Sequence, residues 1–200
     1  ERRRRGHIPK PFLSTMSTTM TTTSNETSTK IAASLTVKTC KPCETTENKT
    51  AKMFMDVAVK EAEEGVRRGE GGPFGAVIVD KNGKIVARAH NMVLQTNDPT
   101  AHAEVTCIRK ACAKLGKFDL SDCKIYSTCE PCPMCFGAIH WAKLPVCIYG
   151  ATAKDAAEAG FDDAFIYNAI RKTTTEEKCQ MKQEKHSGAV DVMKMKYDLY

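Results

Sequence analysis

No stretch of the 200-residue chain approaches the roughly 20 consecutive apolar residues that a membrane-spanning helix needs. Internal repeats are missing as well, which excludes a solenoid or propeller. Acidic residues are scarce at the front: residues 1–50 hold four Asp/Glu against nine Lys/Arg, and Phe12 is their single aromatic. A basic excess is in turn almost absent from residues 51–200, with 21 Lys/Arg against 20 Asp/Glu. The net charge of +6 is therefore a property of the N-terminal segment. A body without a basic excess argues against a nucleic-acid partner, because phosphate binding leaves a basic footprint.

With 42% apolar and 27% charged residues, the chain has the composition of one globular domain with a core. Residues 1–50 are a different polymer. They contain 18 Ser/Thr and cannot bury enough apolar surface to offset the entropy of ordering, so they read as a disordered, basic extension. The Arg2–Arg5 run and the shortage of acids fit an organelle-targeting peptide; the alternative is an extension ahead of a true start at Met16, in a fragment that opens with Glu1. Cys40-Lys41-Pro42-Cys43 has metal-like spacing but no partner pair, and the sequons at Asn25 and Asn48 carry little weight without a secretory signal. Ten cysteines are enough for a disulfide framework, yet three fall within seven residues, at Cys129, Cys132 and Cys135. Clustered thiols in a chain of this size read as a metal site in a reducing, cytoplasmic compartment.

Regular structure is expected from residue 51. Thr50 is a candidate cap for a helix carrying Phe54, Val57, Ala58, Ala62 and Val66 at helical spacing. Strands are expected at Ala76–Val79 and Lys84–Ala89 around the Asn82-Gly83 turn, then at Lys124–Thr128 and Val146–Tyr149. Helices are expected over Thr100–Lys114, Cys132–Lys143, Ala153–Ala159, Ala164–Arg171 and from Ser187 towards Tyr200. Strands alternating with helices imply an α/β fold with one sheet between helical layers.

Two segments concentrate the chemistry: His102-Ala103-Glu104 and Pro131-Cys132-Pro133-Met134-Cys135. Cys132 and Cys135, three apart at a helix start, share one face, and a helix N-terminus favours their thiolate forms. With His102 at another helix start they offer Zn²⁺ two anionic ligands and one neutral one, leaving a fourth position for water. Such an ion keeps the Lewis acidity to activate water near neutral pH. Glu104 is spare as a ligand and is placed to carry protons. The rival reading is a closed structural site completed by Cys129, which would leave Glu104 and Pro131 without a role.

The paired H-x-E and P-C-x-x-C segments are the signature of zinc nucleobase deaminases. The chain resembles the cytidine-deaminase-fold superfamily over nearly all of residues 51–200, and within it the bacterial-type guanine deaminases. Gly71–Val79, Asn97–Glu104, Ser127–Cys135 and Ala159-Gly160-Phe161-Asp162-Asp163 carry the likeness. It also resembles plant guanosine deaminases at Asn91–Leu94 and Asp198-Leu199-Tyr200. The resemblance implies a three-layer α/β/α sandwich with a mixed central sheet, zinc-dependent hydrolytic deamination of a small purine, and guanine as substrate. Guanosine, or a tRNA adenosine or cytosine, is the alternative. It implies zinc on His102, Cys132 and Cys135, and Glu104 as the proton carrier. Asn91 would hydrogen-bond the purine, Phe74 stack on it, Trp141 wall the pocket and Asp163 read ring nitrogens. Tyr200 would close the site, in a homodimer that exchanges C-terminal segments. The bland alternatives are a strand-end cap for Asn91, core packing for Phe74 and Trp141, a helix cap for Asp163 and a frayed end for Tyr200.

Overall fold

The computed structural model describes residues 46–173, 179, 181–184 and 187–195, all within one unit, Pro42–Tyr200. Most of the expected N-terminal extension, including Cys40 and Cys43, lies outside the described residues, as does Tyr200. Helix α1 (Thr46–Arg67) begins four residues before the expected Thr50 cap. No proline or glycine stands between Thr46 and Thr50 to break the helix. Phe54, Ala58 and Ala62 recur every four residues, and all three are buried.

A four-stranded sheet follows the order β2-β1-β3-β4, with β1 (Gly75–Asp80), β2 (Ile85–His90), β3 (Cys123–Cys129) and β4 (Cys147–Ala151). β1 runs antiparallel to β2 and β3, while β3 and β4 are parallel, so the sheet is mixed as expected. Side chains alternate across it with the period of two that a strand imposes. Val77, Val79 and Tyr126 meet Phe54 and Ala58 of α1. Ala76, Ile78 and Ile125 face the opposite way and pack with Cys107, Ala111 and Ile139. Those partners come from α3 (Ala103–Leu115) and α4 (Pro133–Trp141), which form the third layer after a one-turn α2 (Val93–Thr96). Fully buried isoleucines such as Ile78 and Ile125 each contribute about 1.5–3 kcal/mol by burial. Helix α1 crosses β1 so closely that a Cβ on Gly75 would lie 2.0 Å from the Ala58 carbonyl oxygen, so only glycine fits there.

α3 starts at Ala103, three residues later than the pattern predicts. The carboxylate of Asp98 accepts from the Thr100 amide at 2.8 Å, and the Ala101 amide closes back on the Asp98 carbonyl. That turn competes with the helix and leaves His102 as its N-cap. The chain then runs through α5 (Ala153–Glu158), α6 (Ala164–Ile170) and α7 (Ser187–Lys194). Among the described residues no helix is long and apolar enough to cross a membrane.

Candidate active site

Two helix starts converge behind the end of β3. His102 is the N-cap of α3 and Cys132 the N-cap of α4, both in extended conformation, and neither side chain makes a capping bond. Pro133 opens α4, where its fixed φ suits the first turn and its missing N–H costs nothing. The side chains that would ordinarily cap the helices instead face each other. Cys132 Sγ lies 3.5 Å from His102 Nδ1, and Cys135 Sγ lies 3.6 Å from it. These ligand atoms all lie within 4.8 Å of one another, the only such trio of His, Cys or acidic groups among the described residues. Tetrahedral zinc with bonds of about 2.0 Å to nitrogen and 2.3 Å to sulfur requires a nitrogen–sulfur separation of about 3.5 Å. The residues fit the ion.

Hydrogen bonding from Cys135, backed by His102, holds the Cys132 thiol well below its ordinary value. The neighbouring Cys132 pushes the Cys135 thiol upward, and the hydrogen bond to Cys132 raises His102. Cys129 stands apart from the trio. Its Sγ reaches the Thr152 carbonyl at 3.8 Å, and burial pushes its thiol up to about 11. The geometry therefore favours three protein ligands over the closed four-ligand site.

Glu104, in the first turn of α3, is 5% exposed. One carboxylate oxygen accepts from Ser127 Oγ at 3.0 Å, and the other from Cys135 Sγ at 3.4 Å. Burial raises its pKa above the ordinary carboxylate range, which favours a group able to hold a proton as well as take one. Ser127, on β3, opens the Ser127–Cys135 stretch, but its bond to Glu104 was not foreseen, because the two meet only when β3 packs beside α3.

A cavity of about 620 Å³ opens onto His102, Glu104 and Cys132. Asn91, Phe74 and Asp163 all line it, as the resemblance implies. Asn91 is buried, and its Oδ1 accepts from the amides of Gly72 and Val93, each at 3.2 Å. It does tie the strand end, yet its Nδ2 donors remain for the cavity. Phe74 meets Phe161 edge-to-face with ring centroids 5.0 Å apart. Asp163 precedes α6 but makes no capping bond; Asp162 accepts from the Ala164 amide instead. Burial raises the Asp163 pKa, helped by the nearby Cys132. Phe161, Phe165 and Glu130 also line the cavity; Phe161 and Glu130 stand inside the Ala159–Asp163 and Ser127–Cys135 motifs, but the edge-to-face contact of Phe161 with Phe74 arises only in the tertiary fold.

Trp141 is not part of this wall. It is 86% exposed and lies at the far end of α4, nine residues beyond Cys132 and six beyond Cys135, and it does not line the cavity. A helix that points its N-terminus at a site carries its C-terminal end away from it. Tyr200 lies outside the described residues.

Comparison with known proteins bears on this arrangement directly. The family model for the cytidine and deoxycytidylate deaminase zinc-binding region matches residues 48–151, which span both ligand segments and Glu104. The chain belongs to this family. It is a zinc-binding hydrolytic deaminase with a cytidine deaminase-like α/β fold. Within the family it is 59% identical over 123 residues to the guanine deaminase of Bacillus subtilis, covering 62% of this chain and 78% of that protein. The crystal structure of guanine deaminase from Bacillus subtilis superposes with a TM-score of 0.67 at 51% identity, over 71% of this chain and 90% of that one. A tRNA-specific adenosine deaminase of Aquifex aeolicus matches at 43% over 101 residues, half of this chain and 66% of that protein.

Proposed function

We propose that this deaminase acts on guanine, converting guanine and water to xanthine and ammonia. The observation that carries the reading is the state of Asn91. Two backbone amides occupy its Oδ1, so it faces the cavity as a hydrogen-bond donor. A donor there complements the 6-oxo group of guanine and opposes the 6-amino group of adenine, which leaves buried groups unpaired. Asp163 supplies an acceptor for a ring N–H, and Phe74 supplies an apolar face for the bicycle. The similarity to the Bacillus subtilis guanine deaminase, higher and longer than that to the tRNA enzyme, supports the same substrate.

His102, Cys132 and Cys135 would hold the zinc ion, which when bound would supply the Lewis acidity that lets water act as a nucleophile near neutral pH. Glu104 takes a proton from the attacking water, whose oxygen bonds to C2, and delivers it to the adjacent ring nitrogen. As the C2–amine bond breaks, Glu104 passes the second proton to the departing nitrogen, so it ends as it began. Its burial keeps bulk water from intercepting these transfers.

Guanosine is the second reading, favoured by one observation: Trp141 does not narrow the cavity, whose mouth is bordered by the exposed Phe161 and Phe165. Free thiols at Cys107, Cys123 and elsewhere among the described residues fit a cytoplasmic enzyme. Homodimerisation fits the apolar surface of α4 at Phe136 and Trp141. Incubation of the purified protein with guanine, guanosine, adenine and cytosine while following ammonia tests the proposal. Guanine is expected to give the highest kcat/KM; turnover of guanosine without guanine would overturn the proposal in favour of a nucleoside enzyme.

A further inference from the structure

Three polar side chains, none of them lining the cavity, meet where α1 and β2 come together. His90, the last residue of β2, is buried, with Glu70 bonded to its Nε2 and Glu61 3.5 Å from its Nδ1. The ring is seated against α1 so tightly that a Cβ on Gly65 would lie 2.5 Å from it. Glu70 is engaged on every side. Its second carboxylate oxygen accepts from Gln95 Nε2 at 3.1 Å, and its carbonyl accepts the amides of Leu94 and Gln95 at 3.1 and 3.0 Å. Its own amide donates to the Gly65 carbonyl at 3.0 Å. One residue thus joins the end of α1, the end of β2 and the short α2.

Those are the segments that hold Asn91. The Gly72 amide, two residues past Glu70, and the Val93 amide, beside Leu94, are the two donors on Asn91 Oδ1. Asn91 itself follows His90 directly, and its amide donates to the Phe74 carbonyl at 2.9 Å. We propose that Glu70 and His90 form a clasp of positioning residues that holds the Gly72 and Val93 amides on Asn91 Oδ1 and so sets the preference for a 6-oxo purine. With the clasp open, the Asn91 amide can turn over and present its oxygen, and discrimination by the group at C6 is lost. The inference rests on the reading of Asn91 as the donor to that group.

The test compares guanine with 2-aminopurine, which keeps the C2 amine and lacks the C6 oxygen. Glu70→Ala should lower the guanine-to-2-aminopurine ratio of kcat/KM by about tenfold, the size of one lost polar discrimination. Zinc content should be unchanged, and hydrogen exchange at the Gly72 and Val93 amides should accelerate. Glu70→Gln, which keeps an acceptor for His90, should restore most of the ratio. In an Asn91→Ala background Glu70→Ala should change the ratio no further, because the two substitutions remove the same interaction. His90→Leu, which opens the other half of the clasp, should reproduce the shift if Glu70→Ala does not fold. A Glu70→Ala enzyme that slows both substrates equally overturns the clasp while leaving Asn91 as the reader of the base. An Asn91→Ala enzyme with an unchanged ratio overturns both.

Discussion

The inner end of the cavity is assembled from the first turns of α3 and α4 and the end of β3, with Glu104, Ser127 and Cys135 all buried. The outer end is bordered by Leu94, Phe161 and Phe165, each exposed and drawn from short helices or the segments before them. At the inner end both oxygens of Glu104 are hydrogen-bonded, and the three atoms able to hold a metal sit on the N-caps and first turn of α3 and α4. At the outer end the contacts include the edge-to-face pair of Phe74 and Phe161. The difference separates labour. On the proposed function, bond making and proton transfer fall to groups fixed within the layered core, base reading to the buried Asn91 and to Asp163, and binding affinity to the exposed apolar rim.

The inner end should break most completely. Cys132→Ser is expected to abolish zinc retention and turnover together, by metal analysis and ammonia release, whereas Cys129→Ala should keep about one zinc per chain and near-normal activity. Loss of metal from Cys129→Ala would move that thiol into the ligand set. At the border between the two ends, Asp163→Ala should lower kcat/KM for guanine by about tenfold to a hundredfold, the range for a lost hydrogen bond to a charged group, with zinc retained.

The core that supports the inner end has its own pH signature. Burial pushes the Cys107 thiol up to about 12 and those of Cys123 and Cys147 to about 11, from an ordinary 9. The unfolded chain therefore loses these protons first, so the stabilisation is complete below pH 9 and is lost as pH rises through 11 to 12. Thermal melts should show Tm falling by several degrees from pH 9 upward, less steeply in Cys107→Ala; a flat profile would count against the burial argument. The smallest effect belongs to Trp141. Trp141→Ala should leave the guanine-to-guanosine ratio within about twofold, as for other surface substitutions away from a site.

What could be read in advance follows the same division. The metal trio, Glu104 and the mixed sheet were legible because motif spacing and strand alternation are local: His102 and Cys132 each lie next to a helix start that a turn or a proline announces. Asn91, Phe74 and Asp163 reached the cavity through likeness to a family, with no periodicity of their own to mark them. Trp141 was misplaced because the direction in which α4 carries its far end is set by packing of Ile139 and Ala142 against the core. The clasp of His90 with Glu70 was invisible for a related reason, since its members lie 20 residues apart and meet only when β2 returns beside α1. Even the late start of α3 turned on a local competitor, the Asp98 turn, that hydrophobic spacing does not register.

Single-turnover hydrolysis of guanine by Glu104→Ala and Phe161→Ala, each zinc-loaded, tests the separation of the two ends most directly. Glu104→Ala should slow the chemical step by about 10²–10⁴-fold with little change in the Kd for guanine. Phe161→Ala should weaken Kd by roughly threefold to tenfold, the worth of an aromatic pair, and leave the step nearly intact. A Phe161→Ala enzyme whose chemical step falls as far as that of Glu104→Ala would contradict the account.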